Sequence, residues 1–406
     1  MSVNDADAYS PAQMAARVEN AGITKGNLDA LSTLILAMLA GAFIAFGAML
    51  FTLVTHDSNL SAGLTRIVGG LVFCLGLILV IIAGAELFTG NNLIVMAYVS
   101  RKITGTQLLR NWAIVFVGNA IGAFLIVLMV YMSGHLETGN GALALHALNI
   151  ANAKVNLDFT QALVRGILCN ILVCLAVWLC FSGRSVTDKI LAIIFPITAF
   201  VALGFEHSVA NMYFVPVGMV INQDPVLIQQ IQQLTGSLPD TAQLDMTGFL
   251  YRNLLPVTIG NIIGGGILVG LVYWFVYLRP AAAEPIRRLM TDGPPAVSAD
   301  TSVANAVKIM QENNSSSVLV GVRGEFEGIV AESDIVRKVT ANGLDVTRVT
   351  TGEIMSTPLV CVDVKTPVYN VYRTLADNRI RHVVVTDAGR QIGFISVKDL
   401  LRRPLI

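Results

Sequence analysis

The sequence predicts an α-helical membrane protein of six spans, an inverted repeat with broken second and fifth helices, followed by a soluble α+β domain. Three observations predict it. The first is uneven charge. The 406 residues are 54% hydrophobic and only 13% charged, where an ordinary soluble domain carries about 25% charged residues. Of the 27 Lys/Arg and 27 Asp/Glu, 15 and 14 fall in residues 281–406. The second is run length. A span needs about 20 mostly apolar residues, and such runs occupy 30–55, 66–99, 110–133, 160–182, 188–221 and 249–278. The third is that the second and fifth runs are interrupted by related polar stretches, GAELFTGN (84–91) and GFEHSVAN (204–211).

The N-terminus, MSVNDADAYS, has no basic n-region, so no cleavable signal peptide is expected. Residues 10–28 read as a short amphipathic helix within a cytoplasmic N-terminal segment, 1–29. Arg101, Lys102, Arg110, Arg184, Lys189 and Arg279 flank one face of the spans, with Arg17 and Lys25 before the first. Arg66, Lys154, Arg165 and Arg252 mark the other. The richer face is cytoplasmic, which places both termini in the cytoplasm and the spans in the cell inner (cytoplasmic) membrane. Zero net charge gives no reason to expect a nucleic-acid partner. The five cysteines form neither a metal-type spacing nor a disulfide framework. No catalytic constellation is present, so no enzyme is expected, and no metal.

The two interrupted runs align without gaps: Gly84 with Gly204, Glu86 with Glu206, Asn91 with Asn211. VGNAIG (117–122) and IGNIIG (259–264) match in the third and sixth runs. Three spans followed by three spans turn the second copy over. Broken helices at matching places point to a substrate site near the bilayer midplane. Irregular backbone at that depth must be buried in protein or line a cavity, and half-helix N-termini offer positive dipole ends to an anion. Glu86 and Glu206 sit where they accept hydrogen bonds from those loops. The glycines of the third and sixth runs, and of GGGILVG (264–270), read as close-packing positions. They form no nucleotide fingerprint, because no strand precedes them. His207 is the one histidine within the runs; His56, His135 and His146 read as surface residues of outer loops.

GAELFT, KVNLDFTQALVRGILCNILVCLAVW, FSGRSVTDK, GFEHSVANM and LLPVTIGNIIGGG together resemble the formate/nitrite transporter family, its formate-channel branch above all, over residues 20–279. The resemblance implies an aquaporin-like protomer and a homopentamer in lipid. It also implies one pore per protomer for small monovalent anions: formate, and with it nitrite, acetate or lactate. No cofactor is required. Carried over position by position, it makes His207 the central histidine, faced by Thr89 and neighboured by Asn170, with Glu206 beside it. Leu87 and Phe88 narrow the cytoplasmic side; Phe73, Leu77 and Phe200 narrow the periplasmic side. Lys154, on the long outer loop, draws anions into the vestibule. The continuation TGNN (89–92) departs from the formate branch, which keeps a nitrite or broad small-anion channel as the alternative.

Such a pore has a physical logic. Moving a bare carboxylate into an apolar medium ideally costs tens of kcal/mol. Neutralising an acid with a pKa near 4 costs about 1.36 kcal/mol per pH unit, roughly 4 kcal/mol at pH 7. An apolar pore therefore favours the neutral acid, or an anion paired with a proton. Histidine is the side chain type that titrates near neutrality.

After YLRPAAAEP an ungapped repeat aligns Met290 with Met355, Thr301 with Thr366, Val303 with Val368, Gly328 with Gly393 and Asp334 with Asp399. Each copy reads as strand, helix, two strands, helix, with hairpin turns at Arg323-Gly324 and Ala388-Gly389. This resembles a tandem pair of cystathionine-β-synthase-type (CBS) motifs. The expected division is a pore domain at 30–279, a linker at 280–286 and a CBS-pair regulatory domain at 287–406. The resemblance implies an adenine nucleotide (AMP, ADP or ATP type) as regulatory ligand. The second copy keeps the ribose-type Ser396 and Asp399, and Arg381 faces phosphate. The first keeps Asp334 but has Ala331 for the hydroxyl residue and Ser316 for the arginine. One competent site is expected, on the second copy. The alternatives are a purely structural pair, or an anion sensor with a structural tail.

Overall fold

The computed structural model describes residues 8–279, 286–292, 295–322 and 325–402. The expected linker, apart from Ile286, and the expected Arg323-Gly324 turn lie outside the described residues. The chain divides into two compact units, Met1–Leu278 and Arg279–Ile406.

The first unit is helical, and polar residues set where its helices start. Ser10 forms a capping box with Gln13 and Pro11 occupies the first turn of α1 (Pro11–Asn27). Asp29, Ser61 and Asp158 each accept a backbone N–H at the start of α2 (Ala30–Thr55), α3 (Ala62–Ala83) and α7 (Phe159–Cys180). Beyond α3 the chain makes a tight turn at Gly90–Ile94 and a short α4 (Val95–Val99). Thr104 caps α5 (Gly105–Met132), and Ser185 caps α8 (Val186–Ala202). The remaining helices are α6 (Ala142–Val155), α9 (Ser208–Gln223), α10 (Pro225–Thr235) and α11 (Gly248–Leu278).

Five of these, α2, α3, α5, α7 and α11, are long and apolar enough to cross a membrane. The fifth apolar run of the sequence is divided between α8 and α9. Large apolar side chains stand outside the unit, Met132 at 75% and Phe195 at 79% exposure. Water would not tolerate so wide an apolar surface, and lipid does. The apolar helices make this a membrane protein.

The close-packing reading of the glycines holds at two matched places. A Cβ on Gly122 would lie 1.9 Å from Met38 O, and one on Gly264 would lie 2.2 Å from Ile167 O. α5 therefore touches α2, and α11 touches α7, backbone to backbone.

Two outer positions differ from the expectation. The segment that carries Lys154 is not a loop but α6, which buries Leu143, Leu148 and Val155. His146, on the same helix, is half-buried, with Nε2 2.8 Å from Thr55 Oγ1. A helix with an apolar face folds back on the unit, and its polar residues gain internal partners.

The second unit holds two similar halves. In one, β2 (Ala296–Val297) runs parallel to β3 (Ser317–Val322), which pairs antiparallel with β4 (Glu325–Ala331). In the other, β5 (Cys361–Asp363) runs parallel to β6 (His382–Asp387), which pairs antiparallel with β7 (Arg390–Ser396). β1 (Thr291–Asp292) adds to β7, giving the order β1-β7-β6-β5. Helices α12 (Val303–Glu312) and α13 (Val368–Asp377) occupy equivalent places, and α14 (Val397–Arg402) follows β7. The halves meet through Leu319, Phe326 and Val384. The Gln391 amide accepts from Phe326 N at 2.6 Å and donates to Phe326 O at 3.1 Å.

Candidate functional site

Two short irregular segments, after α3 and after α8, form the centre of the first unit. Gly84 and Gly204 begin them with φ of +81° and +71°, a conformation that favours glycine. From there the two run in parallel fashion. Ala85 N bonds Val80 O at 2.9 Å, and Phe205 N bonds Phe200 O at 3.0 Å. Glu86 N reaches Leu36 O on α2 at 3.2 Å, and Glu206 N reaches Arg165 O on α7 at 3.3 Å. Freed backbone groups far from water need such partners.

Two asparagines satisfy more of them. Asn119 donates to Ala37 O at 2.7 Å and Glu86 O at 2.9 Å, and accepts from Phe88 N at 2.9 Å. Asn261 donates to Gly166 O at 2.8 Å and Glu206 O at 3.1 Å, and accepts from Ser208 N at 2.9 Å. Sequence reading saw these motifs for their glycines and missed the asparagines. The signal was present, since Asn stands at the same place in VGNAIG and IGNIIG.

The two buried glutamates also have matched surroundings. Glu86 accepts from Lys25 Nζ and from Asn91 Nδ2, each at 2.6 Å. Asn91 Nδ2 also donates to Asn111 Oδ1 at 3.0 Å. Glu206 accepts from Lys154 Nζ at 2.9 Å and from Asn211 Nδ2 at 2.7 Å. Asn211 Nδ2 also donates to Asn253 Oδ1 at 2.6 Å. The partners are thus lysine and asparagine side chains, not the loop N–H groups that the sequence suggested. A buried carboxylate needs a counter-charge and hydrogen bonds, or it costs several kcal/mol. The Lys154 side chain is 14% exposed and paired with Glu206. Lys25, Asn91, Asn111 and Asn253 complete these networks, and only the repeat of Asn91 in Asn211 hinted at them.

His207 is buried, as is Thr89. It caps α9: Nδ1 accepts from Ala210 N at 3.0 Å, and Nε2 lies 2.9 Å from Thr89 Oγ1. A neutral ring whose Nδ1 lone pair is engaged carries its proton on Nε2, so Nε2–H donates toward Thr89. Asn170 bonds the Thr89 carbonyl at 3.3 Å and Asn261 O at 2.7 Å. It serves the frame around the histidine, with no hydrogen bond to the ring itself among the described residues. Cys174 Sγ also reaches Thr89 O, at 3.3 Å.

The apolar candidates separate into two groups. Phe200 stacks on His207 with centroids 5.9 Å apart, and Phe73 meets Phe200 edge-on at 5.7 Å. Leu77 does not share that position. It lines a cavity of about 100 Å³ together with Leu87, Lys25 and Asn91. One helical turn along α3 carries it from the Phe73 cluster to the Leu87 side. Phe88 is packed edge-on against Phe116 at 5.0 Å and Trp112 at 6.2 Å, and Leu87 rather than Phe88 lines the cavity. The loop presents these two neighbours to different surroundings.

In the second unit, Ser396 donates to Asp399 Oδ2 from both N, at 2.8 Å, and Oγ, at 2.6 Å. Asp399 Oδ1 takes no hydrogen bond among the described residues. Its counterpart is filled: Asp334 Oδ2 accepts from Ala331 N at 2.9 Å, and Oδ1 accepts from Ser356 Oγ at 3.0 Å and Lys338 Nζ at 3.1 Å. Arg381 is exposed just before β6. Beside it His382, unnoticed in the sequence, places Nε2 3.4 Å from Ser316 Oγ. Burial holds its pKa below the ordinary 6.5, with Asp399 opposing and Arg381 reinforcing that shift.

The family profile described as Formate/nitrite transporter matches residues 12–275, and that described as CBS domain matches 286–341 and 352–405. Formate channel FocA of Escherichia coli (strain K12) is 45% identical over 278 residues, covering 68% of this chain and 97% of its own. Formate channel FocA of Haemophilus influenzae is 41% identical over 268 residues, covering 65% and 93%. A solved structure described as a pentameric formate channel with formate bound has 42% identity and a TM-score of 0.58, covering 61% of this chain and 98% of that one.

Proposed function

The chain belongs to the formate/nitrite transporter family and carries a CBS domain pair, and from that premise we propose that it is a homopentameric membrane channel for formate with one pore per protomer. In this reading residues 1–29 are a cytoplasmic segment, 30–279 the pore domain and 287–406 a regulatory domain. The pore domain crosses the inner membrane six times as an inverted repeat, with both termini in the cytoplasm. The second span is α3 with the turn and α4 beyond it, and the fifth is α8 with α9.

The observation that carries the reading is the His207–Thr89 pair, with Nε2 2.9 Å from Oγ1 between buried apolar residues. A formate oxygen arriving there takes the Nε2–H in place of Thr89, and the Thr89 hydroxyl turns to donate to it. Passage as the neutral acid needs one proton beyond the neutral ring's own: His207 takes one up to become imidazolium, passes one from Nε2 to the formate oxygen, and returns to the neutral ring. Leu87 and Leu77 narrow one approach, Phe73 and Phe200 the other. Lys25 and Lys154 stand one on each approach, each shared with a glutamate, so that they attract an anion without trapping it.

The TGNN continuation gives no support to nitrite. Asn92 donates to Phe88 O at 3.1 Å and accepts from Asn170 at 3.0 Å, so its amide belongs to the frame of the loop. For the tail, Asp399 Oδ1, which takes no hydrogen bond among the described residues, supports an adenine nucleotide at the second copy, held by Ser396 and Asp399 with Arg381 toward phosphate. Nucleotide regulates flux if it binds open and closed pores unequally.

The test is flux into proteoliposomes, with formate, nitrite, lactate and chloride compared and pH varied. Formate is expected to be conducted best, and His207→Asn to abolish its pH response while the pentamer still assembles. A wild-type pH profile in that variant would refute the role of His207; nitrite conducted far above formate would refute the substrate.

A further inference from the structure

Asn119 on α5 and Asn261 on α11 are both fully buried, and their amides are used in the same way. Each donates to the carbonyl of the loop glutamate and accepts the N–H two residues later. Each thus grips the backbone on both sides of one residue. That residue is Leu87 in the first loop and His207 in the second. The second donated bond anchors the amide to a neighbouring helix, through Ala37 O on α2 or Gly166 O on α7. A side chain amide here replaces the peptide group that a continuous helix or a neighbouring strand would have offered.

The grip on His207 has a further connection. The carbonyl of Asn261 accepts from Asn170 Nδ2 at 2.7 Å, and the same Nδ2 reaches Thr89 O at 3.3 Å. The backbone at His207 and the backbone at Thr89 are therefore tied to one pair of asparagines, on α11 and α7. Neither loop has regular structure to fix its own position.

We propose that Asn261 is the positioning residue that sets His207 against Thr89, and that Asn119 is its counterpart for Leu87. This rests on the reading of His207 as the group that handles the anion's proton. The two asparagines divide the labour: one governs proton handling, the other the width of the apolar approach.

The experiment is a double-mutant cycle on the full-length channel in proteoliposomes, reading formate flux across pH and the formate-to-lactate flux ratio. Asn261→Asp keeps the size and the acceptor for Ser208 N–H, but turns the donor toward two carbonyls into an acceptor. It is expected to lower formate flux on the order of tenfold and to displace the pH profile. In a His207→Asn background it adds little further loss, because the group it positions is gone. Asn119→Asp is expected to alter the formate-to-lactate ratio and leave the pH profile where it was. If Asn261→Asp does not assemble, Asn261→Ser is read in the same way. The proposal is overturned if the Asn261 and His207 losses simply multiply, or if the Asn261 variant keeps the wild-type pH profile. A His207→Asn channel that is wild type in flux and pH response removes the underlying reading, and this inference with it.

Discussion

Nε2 of His207 lies 2.9 Å from Oγ1 of Thr89, although the two residues belong to different loops. Nδ1 of the same ring is occupied by the cap of α9, so only one edge of the imidazole faces the partner. Thr89→Val keeps the shape and removes the hydroxyl, leaving a buried N–H without its acceptor. That costs about 1–3 kcal/mol, and formate flux should fall about tenfold, whereas Thr89→Ser should stay near wild type. Stopped-flow flux measurements check this; a Val variant that conducts normally would reject the pairing.

The Lys154–Glu206 contact changes what a charge substitution at Lys154 should do. Breaking one side of a buried pair costs about 3–5 kcal/mol, because the other charge is left uncompensated. Lys154→Gln and Glu206→Gln should each lower the thermal stability of the purified channel, and the double variant should recover much of the loss. Two independent, additive losses would show that the pair contributes nothing.

Leu87 and Phe88 should respond differently to truncation. Leu87→Ala enlarges the cavity and should raise lactate flux relative to formate. Phe88→Ala removes a ring packed on Trp112 and Phe116; losses of this kind run about 3–5 kcal/mol. Its main effect should be on stability, read from the melting temperature. Equal selectivity changes with no loss of stability in the Phe88 variant would contradict the packing.

The tail should hold one adenine nucleotide per chain. Calorimetry of the purified full-length protein with ATP or AMP should give one site, lost in Asp399→Ala. Asp334→Ala should leave it, since Lys338 and Ser356 already occupy that carboxylate. Two equivalent sites, or none at millimolar nucleotide, would count against the assignment.

His382 gives the tail a pH dependence whose sign can be worked out. Its folded pKa is depressed by burial from the ordinary 6.5. Below 6.5 the unfolded chain takes up a proton that the folded chain refuses until lower pH. Stability is therefore full above that value and is lost as pH falls through the window beneath it. The thermal transition of the tail should drop between pH 7.5 and pH 5.5, and His382→Gln should flatten the drop. A transition temperature that rises on acidification in the wild type would contradict the sign.

Much of this protein was legible in its sequence because the relevant information is local. Run length marked the apolar helices, and the matched Gly84 and Gly204 marked the polar stretches that interrupt two of them. The family motifs and the two copies in the tail were equally readable. What only the tertiary structure decided is which distant groups meet. Lys154 was placed on an outer loop, and nothing near it in sequence says that Glu206 will fold against it. Asn119 and Asn261 were hidden among packing glycines, since their partners come from other helices and from the loops. The same holds for which side of a loop faces a cavity: Leu87 and Phe88 are neighbours of similar hydrophobicity, and only packing against Trp112 and Phe116 separates them. Apolar pattern selects burial without naming a partner; directional hydrogen bonds and paired charges name one only when the chain has closed around them.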